Sequence, residues 1–192
     1  MGFLSVLSTA HLWIKQRVQV GEPVIDATCG TGVDTLALAE LTGKHGFVYA
    51  FDIQQTAILQ SEKRLAATPN YESLASVQFI KGSHSNMNDY IKTEHQQNIA
   101  AIMFNLGYLP GGDEQIITEP SSTIAALELA ISLLRKGGII TCVLYPGHAG
   151  GAEEAQLVES WTRQLPVHLV QVVKYQQMQR ERSPYLIAIE RK

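Results

Sequence analysis

The 192-residue chain is 45% hydrophobic and 17% charged, which excludes a disordered protein and fits one folded domain, residues 1–192, with a sizeable core. Its two cysteines, Cys29 and Cys142, are too few for a disulfide framework and favour the reducing cytoplasm. Polar residues interrupt the apolar residues at positions 1–20, so we expect no signal peptide, no membrane-spanning helix and no membrane partner.

Charge is unevenly distributed along the chain. The net charge is −3, but residues 1–20 carry +2 and residues 174–192 carry +3, which leaves −8 between them. Basic ends on an acidic body can mark a surface that faces a polyanion, although counts this small also fit ordinary solvated charge.

The apolar pattern predicts strands that alternate with helices. In chain order we expect a helix at 4–18, a strand at 24–26, a helix at 34–41, a strand at 47–52, a helix at 54–67, a strand at 77–80, a polar loop at 83–88, a short helix at 89–93, a strand at 99–104, a helix at 121–134, a strand at 139–145, a helix at 152–164, and strands at 167–175 and 185–190. This alternation is typical of an α/β protein with a mostly parallel sheet, here of seven strands, covered by helices on both faces. No helix separates the last two strands, so they should pair antiparallel.

The loops that follow the predicted strands should meet at one edge of the sheet. They are residues 26–34, 52–54, 83–86, 105–113 and 145–151. Ligands of open parallel sheets bind beyond the carboxyl ends of the strands. The sequence therefore predicts a ligand site built from these loops.

The first of these loops is a glycine turn between a strand and a helix. A P-loop would need a lysine and a hydroxyl residue after Gly32, where Val33 and Asp34 stand instead. The dinucleotide fingerprint fits poorly, because Thr35 occupies its third glycine position. Asp26, Thr28, Gly30 and Gly32 fit the turn that binds S-adenosyl-L-methionine, with Thr28 in place of the usual first glycine.

The chemistry of S-adenosyl-L-methionine agrees with this interpretation. Its ammonium group would suit Asp26, and its carboxylate would suit the amides of the turn. Asp52 ends the second strand twenty residues after Gly32, where one carboxylate can accept hydrogen bonds from both ribose hydroxyls. His84 would line the adenine pocket.

The loop after the fourth strand carries candidate groups for a reaction. The side-chain carbonyl of Asn105 could orient an amine nucleophile, and Tyr108 could stack on a base. His148 and Tyr108 are candidates to assist deprotonation of that amine. The cysteine and histidine spacing predicts no zinc site.

Five stretches of the chain resemble one known family. They are Asp26–Leu36, Ala50–Gln54, Ser83–His84, Phe104–Asp113 and Tyr145–His148. Together they resemble the small class I methyltransferases described as "putative rRNA methylase", and the resemblance covers nearly the whole chain. It implies a Rossmann-like fold with an antiparallel C-terminal strand. This sequence departs from the family at Thr31, where asparagine is usual, and at 180–184, which is usually richer in asparagine and proline.

The resemblance also implies a reaction and a partner. One branch of the family methylates the 5-aminomethyl group of (2-thio)uridine at wobble position 34 of tRNA, so we expect the anticodon region of tRNA as partner. Expected cofactor-binding residues are Asp26, Thr28, Cys29, Gly30, Thr31, Gly32, Asp34, Asp52, Ile53, Gln54, Ser83, His84 and Asn105. Expected catalytic residues are Asn105, Tyr108 and His148, and expected substrate-binding residues are Tyr108, Gly111, Gly112, His11, Arg180 and Arg182.

Other functions stay open on the sequence alone. The substrate could be rRNA or a small-molecule amine. A different class of protein, an NAD-dependent oxidoreductase or a non-catalytic cofactor-binding module, would use the same strand–turn–helix unit. A homodimer is also left open.

Overall fold

The computed structural model of the protein describes residues 2–107, 120–147, 150–180 and 182–192. Its helices are α1 (Val6–Lys15), α2 (Val33–Thr42), α3 (Gln55–Ala66), α4 (Pro120–Leu133) and α5 (Gly151–Thr162). Its strands are β1 (Pro23–Asp26), β2 (Phe47–Asp52), β3 (Ser76–Lys81), β4 (Ile99–Leu106), β5 (Leu134–Leu144), β6 (Val170–Tyr175) and β7 (Tyr185–Arg191).

The seven strands form one sheet in the order β3-β2-β1-β4-β5-β7-β6. All neighbouring pairs from β3 to β5 are parallel, and β7 is antiparallel to both β5 and β6. This confirms the predicted sheet with its antiparallel C-terminal strand. The carboxyl ends of the parallel strands, and the loops that leave them, therefore lie along one edge, which we call the ligand edge.

The sheet is buried on both faces, which explains the continuous apolar runs of its central strands. All four residues of β1 are buried, as are the first six of β4. Residues of α4 and α5 pack with Ile25 and Phe104 on one face. On the other face, residues of α1, α2 and α3 pack with Val24 and Met103.

Helix α1 crosses the second face of the sheet and is fixed by polar contacts. Ser5 caps its start, where the hydroxyl accepts a hydrogen bond from the Ser8 amide at 3.1 Å. Beyond its end, Arg17 forms an ion pair with Glu190 of β7 at 2.7 Å. The Tyr175 hydroxyl at the end of β6 donates to the Leu4 carbonyl at 2.8 Å. The amino-terminal half of α1 consequently lies near the ligand edge.

Several predicted elements differ from the observed ones. Helix α1 ends at Lys15, not at 18. Strand β5 begins at Leu134, not at 139, because Leu134 already pairs with Ile99 before an irregularity in the ladder. The stretch before Val170 is a turn in which the Leu169 amide donates to the Pro166 carbonyl at 2.9 Å. Two 3₁₀ turns at His84–Asp89 and Thr93–His95 replace the polar loop and short helix expected at 83–93.

Within the described ranges, none of the helices is long and apolar enough to cross a bilayer.

Candidate active site

The glycine turn after β1 requires glycine at two positions. Gly30 and Gly32 have φ angles of 50° and 79°, in the left-handed region that other residues adopt only with strain. A Cβ atom on Gly32 would lie 2.7 Å from the Cα atom of Ser61 in α3. The Ser61 hydroxyl donates to the Gly30 carbonyl at 3.1 Å. Helix α3 therefore packs directly against the turn and holds its shape.

Asp26 lies inside the turn and has no exposed surface. Its Oδ1 atom accepts from the Thr28 amide at 3.2 Å, and its Oδ2 atom accepts from the Thr35 hydroxyl at 2.6 Å. Burial, with the Asp34 charge as a second cause, raises the pKa of Asp26 to about 7. These bonds give Asp26 a role in shaping the turn, and its expected contact with the ammonium of the cofactor stays a prediction.

Asp52 joins the end of β2 to the glycine turn. Its Oδ2 atom accepts from the Gly30 amide at 3.0 Å, and its Oδ1 atom accepts from the Gln54 amide at 2.9 Å. Burial raises the pKa of Asp52, and the backbone hydrogen bonds oppose that shift. Each carboxylate oxygen keeps a second lone pair, so two ribose hydroxyls can still be bound. The next residue, Ile53, is 49% exposed and offers an apolar surface beside them.

The end of β3 contributes Ser83 and His84. The Ser83 hydroxyl caps the following 3₁₀ turn by accepting from the Ser85 amide at 3.2 Å. The His84 ring is buried edge-on against Phe104, and its Nδ1–H donates to the Ala27 carbonyl at 3.2 Å. Burial lowers the pKa of His84, so the ring is neutral. Its buried Nε2 atom has no hydrogen-bond partner in the described structure.

Asn105 lies near the end of β4, beside the glycine turn. Its backbone amide donates to the Thr28 hydroxyl at 2.8 Å. Its side chain is hydrogen-bonded to Tyr145, which directly follows β5. The Oδ1 atom of Asn105 is buried without a hydrogen-bond partner among the described residues. Such an atom costs about 1–3 kcal/mol, and a ligand N–H would satisfy it.

His11 and Asp34 connect α1 to the start of α2. The His11 Nε2 atom lies 2.6 Å from the Asp34 Oδ1 atom, and the side chains are 33% and 10% exposed. The hydrogen bond with Asp34 raises the pKa of His11, and burial opposes it. Asp34, the acidic member of this pair, lies in the first turn of α2, where the helix dipole stabilises a negative charge.

The structure brings most of the predicted site residues to the ligand edge. Cys29 is buried, its amide donates to the Phe51 carbonyl at 2.8 Å, and burial raises the pKa of its thiol. The Thr31 carbonyl accepts from the Arg64 Nε atom at 2.6 Å. Four predicted site residues lie outside the described residues: Tyr108, Gly111, Gly112 and His148.

Arg180 and Arg182 are exposed on the connection between β6 and β7. A Cβ atom on Gly147 would lie 3.2 Å from the Arg182 carbonyl oxygen. Because Gly147 follows β5, this contact puts the connection beside the ligand edge, as its sequence position predicted.

Four residues that shape the site were not predicted from the sequence: Thr35, Ser61, Arg64 and Tyr145. Tyr145 had a usable signal, since it directly follows a strand at the ligand edge. No such signal in the sequence marked Thr35 in the first turn of α2, or Ser61 and Arg64 on α3, because their roles depend on how two helices meet. In the described part of the chain, no group of three or more His, Cys, Asp or Glu side chains could hold a metal ion.

This combination of fold and site defines a class I S-adenosyl-L-methionine-dependent methyltransferase. The mostly parallel sheet, the glycine turn after β1 and the carboxylate that ends β2 are its parts. The profile of the family described as "Putative rRNA methylase" matches residues 48–190. The chain belongs to this family, and it is an enzyme that transfers a methyl group.

Comparisons with known proteins agree with that assignment. A protein named chloroplastic tRNA (mnm(5)s(2)U34)-methyltransferase, from Arabidopsis thaliana, is 38% identical over 183 residues. The match covers 93% of this chain and 66% of the plant protein, so this chain spans slightly less than two thirds of that relative.

Two crystal structures match over the whole of both chains. A protein titled as a putative rRNA-methylase, from Clostridium thermocellum, has a TM-score of 0.92 at 39% identity. A protein described as a putative methyltransferase, from Streptococcus mutans and crystallised in complex with S-adenosylhomocysteine (SAH), has a TM-score of 0.86 at 29% identity. S-Adenosyl-L-methionine is therefore the cofactor of this protein, which sets aside the oxidoreductase alternative.

Proposed function

We propose that this enzyme methylates the amine of 5-aminomethyl-(2-thio)uridine at the wobble position of tRNA, giving the 5-methylaminomethyl nucleoside. The observation that carries the amine assignment is the unpartnered carbonyl oxygen of Asn105 at the end of β4. A carbonyl oxygen accepts an N–H and so favours an amine substrate over one without a donor. The 38% identity to the plant protein supports the choice of tRNA.

The reaction needs positioning more than strong acid or base chemistry. Methyl transfer from a sulfonium is an in-line displacement, so the rate depends on holding the nitrogen lone pair toward the methyl group. In this proposal Asn105 accepts one N–H of the substrate and fixes that direction, while Tyr108 stacks on the uracil ring and His148 assists near the substrate. Gly111 and Gly112 would let the backbone approach the nucleotide.

The alternatives differ in the molecule that carries the amine. The family description favours rRNA, and the open ligand edge would also admit a small-molecule amine.

The cysteines fit a reducing compartment, since Cys29 and Cys142 are both free and buried, and we propose the cytoplasm. A homodimer remains a prediction.

A methylation assay with matched tRNAs tests the proposal. We expect the purified enzyme and S-adenosyl-L-methionine to convert tRNA that carries 5-aminomethyl-2-thiouridine, and nucleoside mass spectrometry should find one added methyl group on that nucleoside. The control is the same tRNA without the aminomethyl group, which should stay unmodified. Methylation of both tRNAs, or of rRNA alone, would exclude the proposed acceptor.

A second prediction concerns the tRNA surface. Because the protein is acidic overall, tRNA should be held by local basic groups, and Arg180 and Arg182 lie beside the ligand edge. Replacing both by alanine should weaken tRNA binding and flatten its dependence on salt by about one unit of log–log slope per lost phosphate contact. S-Adenosyl-L-methionine affinity should stay at the parent value. Filter binding at several salt concentrations measures both effects on tRNA.

The matched control removes two positive charges from the opposite edge of the sheet. Lys44, before β2, and Lys136, near the start of β5, are both exposed. If the Lys44→Ala/Lys136→Ala protein loses as much tRNA affinity as the arginine double variant, the effect is one of net charge and the assigned surface is wrong.

A further inference from the structure

We propose that His11, oriented by Asp34, is the group that accepts the proton of the substrate amine. This inference rests on the proposed function, since it needs an amine that is protonated before it reacts. An alkyl ammonium has a pKa of about 10, so nearly all of the substrate carries an unreactive ammonium at neutral pH. A base at the ligand edge would raise the share of amine that can react.

The geometry of His11 suits this role. The Nε2–H group donates to the Asp34 Oδ1 atom at 2.6 Å, so in the neutral ring, the form that acts as a base, the lone pair is on Nδ1. The ring forms no other hydrogen bond within the described structure, and one third of the side chain is exposed. An imidazole held by a buried carboxylate, with its second nitrogen free, is a recurrent arrangement for general bases.

The charges that face His11 come from two elements. Asp34, in the first turn of α2, and Asp26, at the end of β1, both raise the pKa of His11. These carboxylates also favour the approach of a cationic amine. The Arg17–Glu190 pair joins the far end of α1 to β7. Near that pair, the Arg135 Nε atom lies 2.6 Å from the Glu22 Oε1 atom. Each of those pairs balances its own charge.

Hydrogen bonds through the glycine turn connect His11 with Asn105. Asp34 bonds His11, and the next residue, Thr35, donates to Asp26. Asp26 also accepts from the Thr28 amide, and the Thr28 hydroxyl accepts from the Asn105 amide. His11 and Asn105 are therefore both held to the same turn at the ligand edge.

The chemical step balances. The ammonium of the substrate gives one proton to the Nδ1 atom of His11, which becomes an imidazolium beside the Asp34 carboxylate. The freed lone pair forms the new N–CH₃ bond while the C–S bond breaks and its electron pair returns to sulfur. The products are a secondary ammonium and S-adenosylhomocysteine, and the imidazolium then releases its proton to water.

A pH–rate profile of two His11 variants tests the inference. In His11→Gln the amide N–H can still donate to Asp34, but no basic nitrogen remains, whereas His11→Ala removes both functions. We expect kcat near pH 7 to fall about a hundredfold or more in both variants. The difference from the parent should shrink as pH approaches 10, where the amine loses its proton unaided. Added imidazole should restore part of the activity of His11→Ala.

Several results would overturn the inference. If His11→Gln keeps the parent rate, the histidine only ties α1 to the glycine turn. Parallel pH profiles, or a loss explained by weaker S-adenosyl-L-methionine binding, would also exclude a base. His45→Gln, a change at an exposed histidine on the opposite edge, is the matched control and should behave as the parent. A parent enzyme that methylates no amine would instead refute the proposed function itself.

Discussion

Replacing Asn105 by alanine should lower kcat about a hundredfold, equivalent to roughly 2.7 kcal/mol of transition-state stabilisation, while S-adenosyl-L-methionine binds with nearly the parent affinity. The side-chain oxygen removed is the atom that has no partner in the described structure. The backbone amide that donates to Thr28 is unchanged, so the glycine turn should keep its shape. Single-turnover methylation measures the rate, and calorimetry measures the affinity.

Asn98→Ala is the matched control, because Asn98 is an exposed asparagine just before the opposite end of β4. Its rate should equal that of the parent. Equal losses of rate and cofactor affinity in Asn105→Ala would instead place Asn105 in the cofactor pocket alone, and the amine assignment would then lose its main support.

The second large effect is expected at Asp52. Asp52→Ala should weaken S-adenosyl-L-methionine binding at least tenfold, because it removes two hydrogen bonds from ribose to a charged acceptor, each worth roughly 1.5–3 kcal/mol. It also frees the Gly30 and Gln54 amides that the carboxylate now orders. Protonation would block one acceptor lone pair, so parent affinity should fall as pH decreases through the raised pKa of Asp52.

Isothermal titration calorimetry of the variant, with a thermal melt to confirm folding, checks this expectation. Glu62→Ala is the control, since Glu62 is an exposed carboxylate ten residues further along, on α3. Unchanged cofactor affinity in a folded Asp52→Ala protein would refute the ribose assignment.

The fold was predictable because its signals are local or periodic. The near-continuous apolar run of β2 indicated a strand buried on both faces, and Asp52 at its end indicated a carboxylate at the ligand edge. The alternation of strands and helices then determined a parallel sheet. Predicted element bounds were wrong where strand pairing outweighed the local sequence signal. Leu134 pairs with Ile99, so β5 begins before the two glycines that were expected to precede it.

The site was predicted less completely, for a physical reason. Asp26, Gly30 and Gly32 lie within one turn of chain, so their spacing alone determines that they form a strand–turn–helix unit. The sequence also places Asn105 and Tyr145 at the ends of neighbouring strands. Nothing in that spacing says which oxygen of a side chain will be left without a partner.

Contacts between distant elements were decided by tertiary structure alone. The 2.6 Å pair of His11 with Asp34 and the packing of Ser61 under Gly32 depend on how α1 and α3 dock on the sheet. Apolar periodicity predicts that a helix buries one face, but not the rotation and offset at which it settles. The sequence by itself therefore determined the sheet, the ligand edge and the glycine turn, and packing determined which side chains meet there.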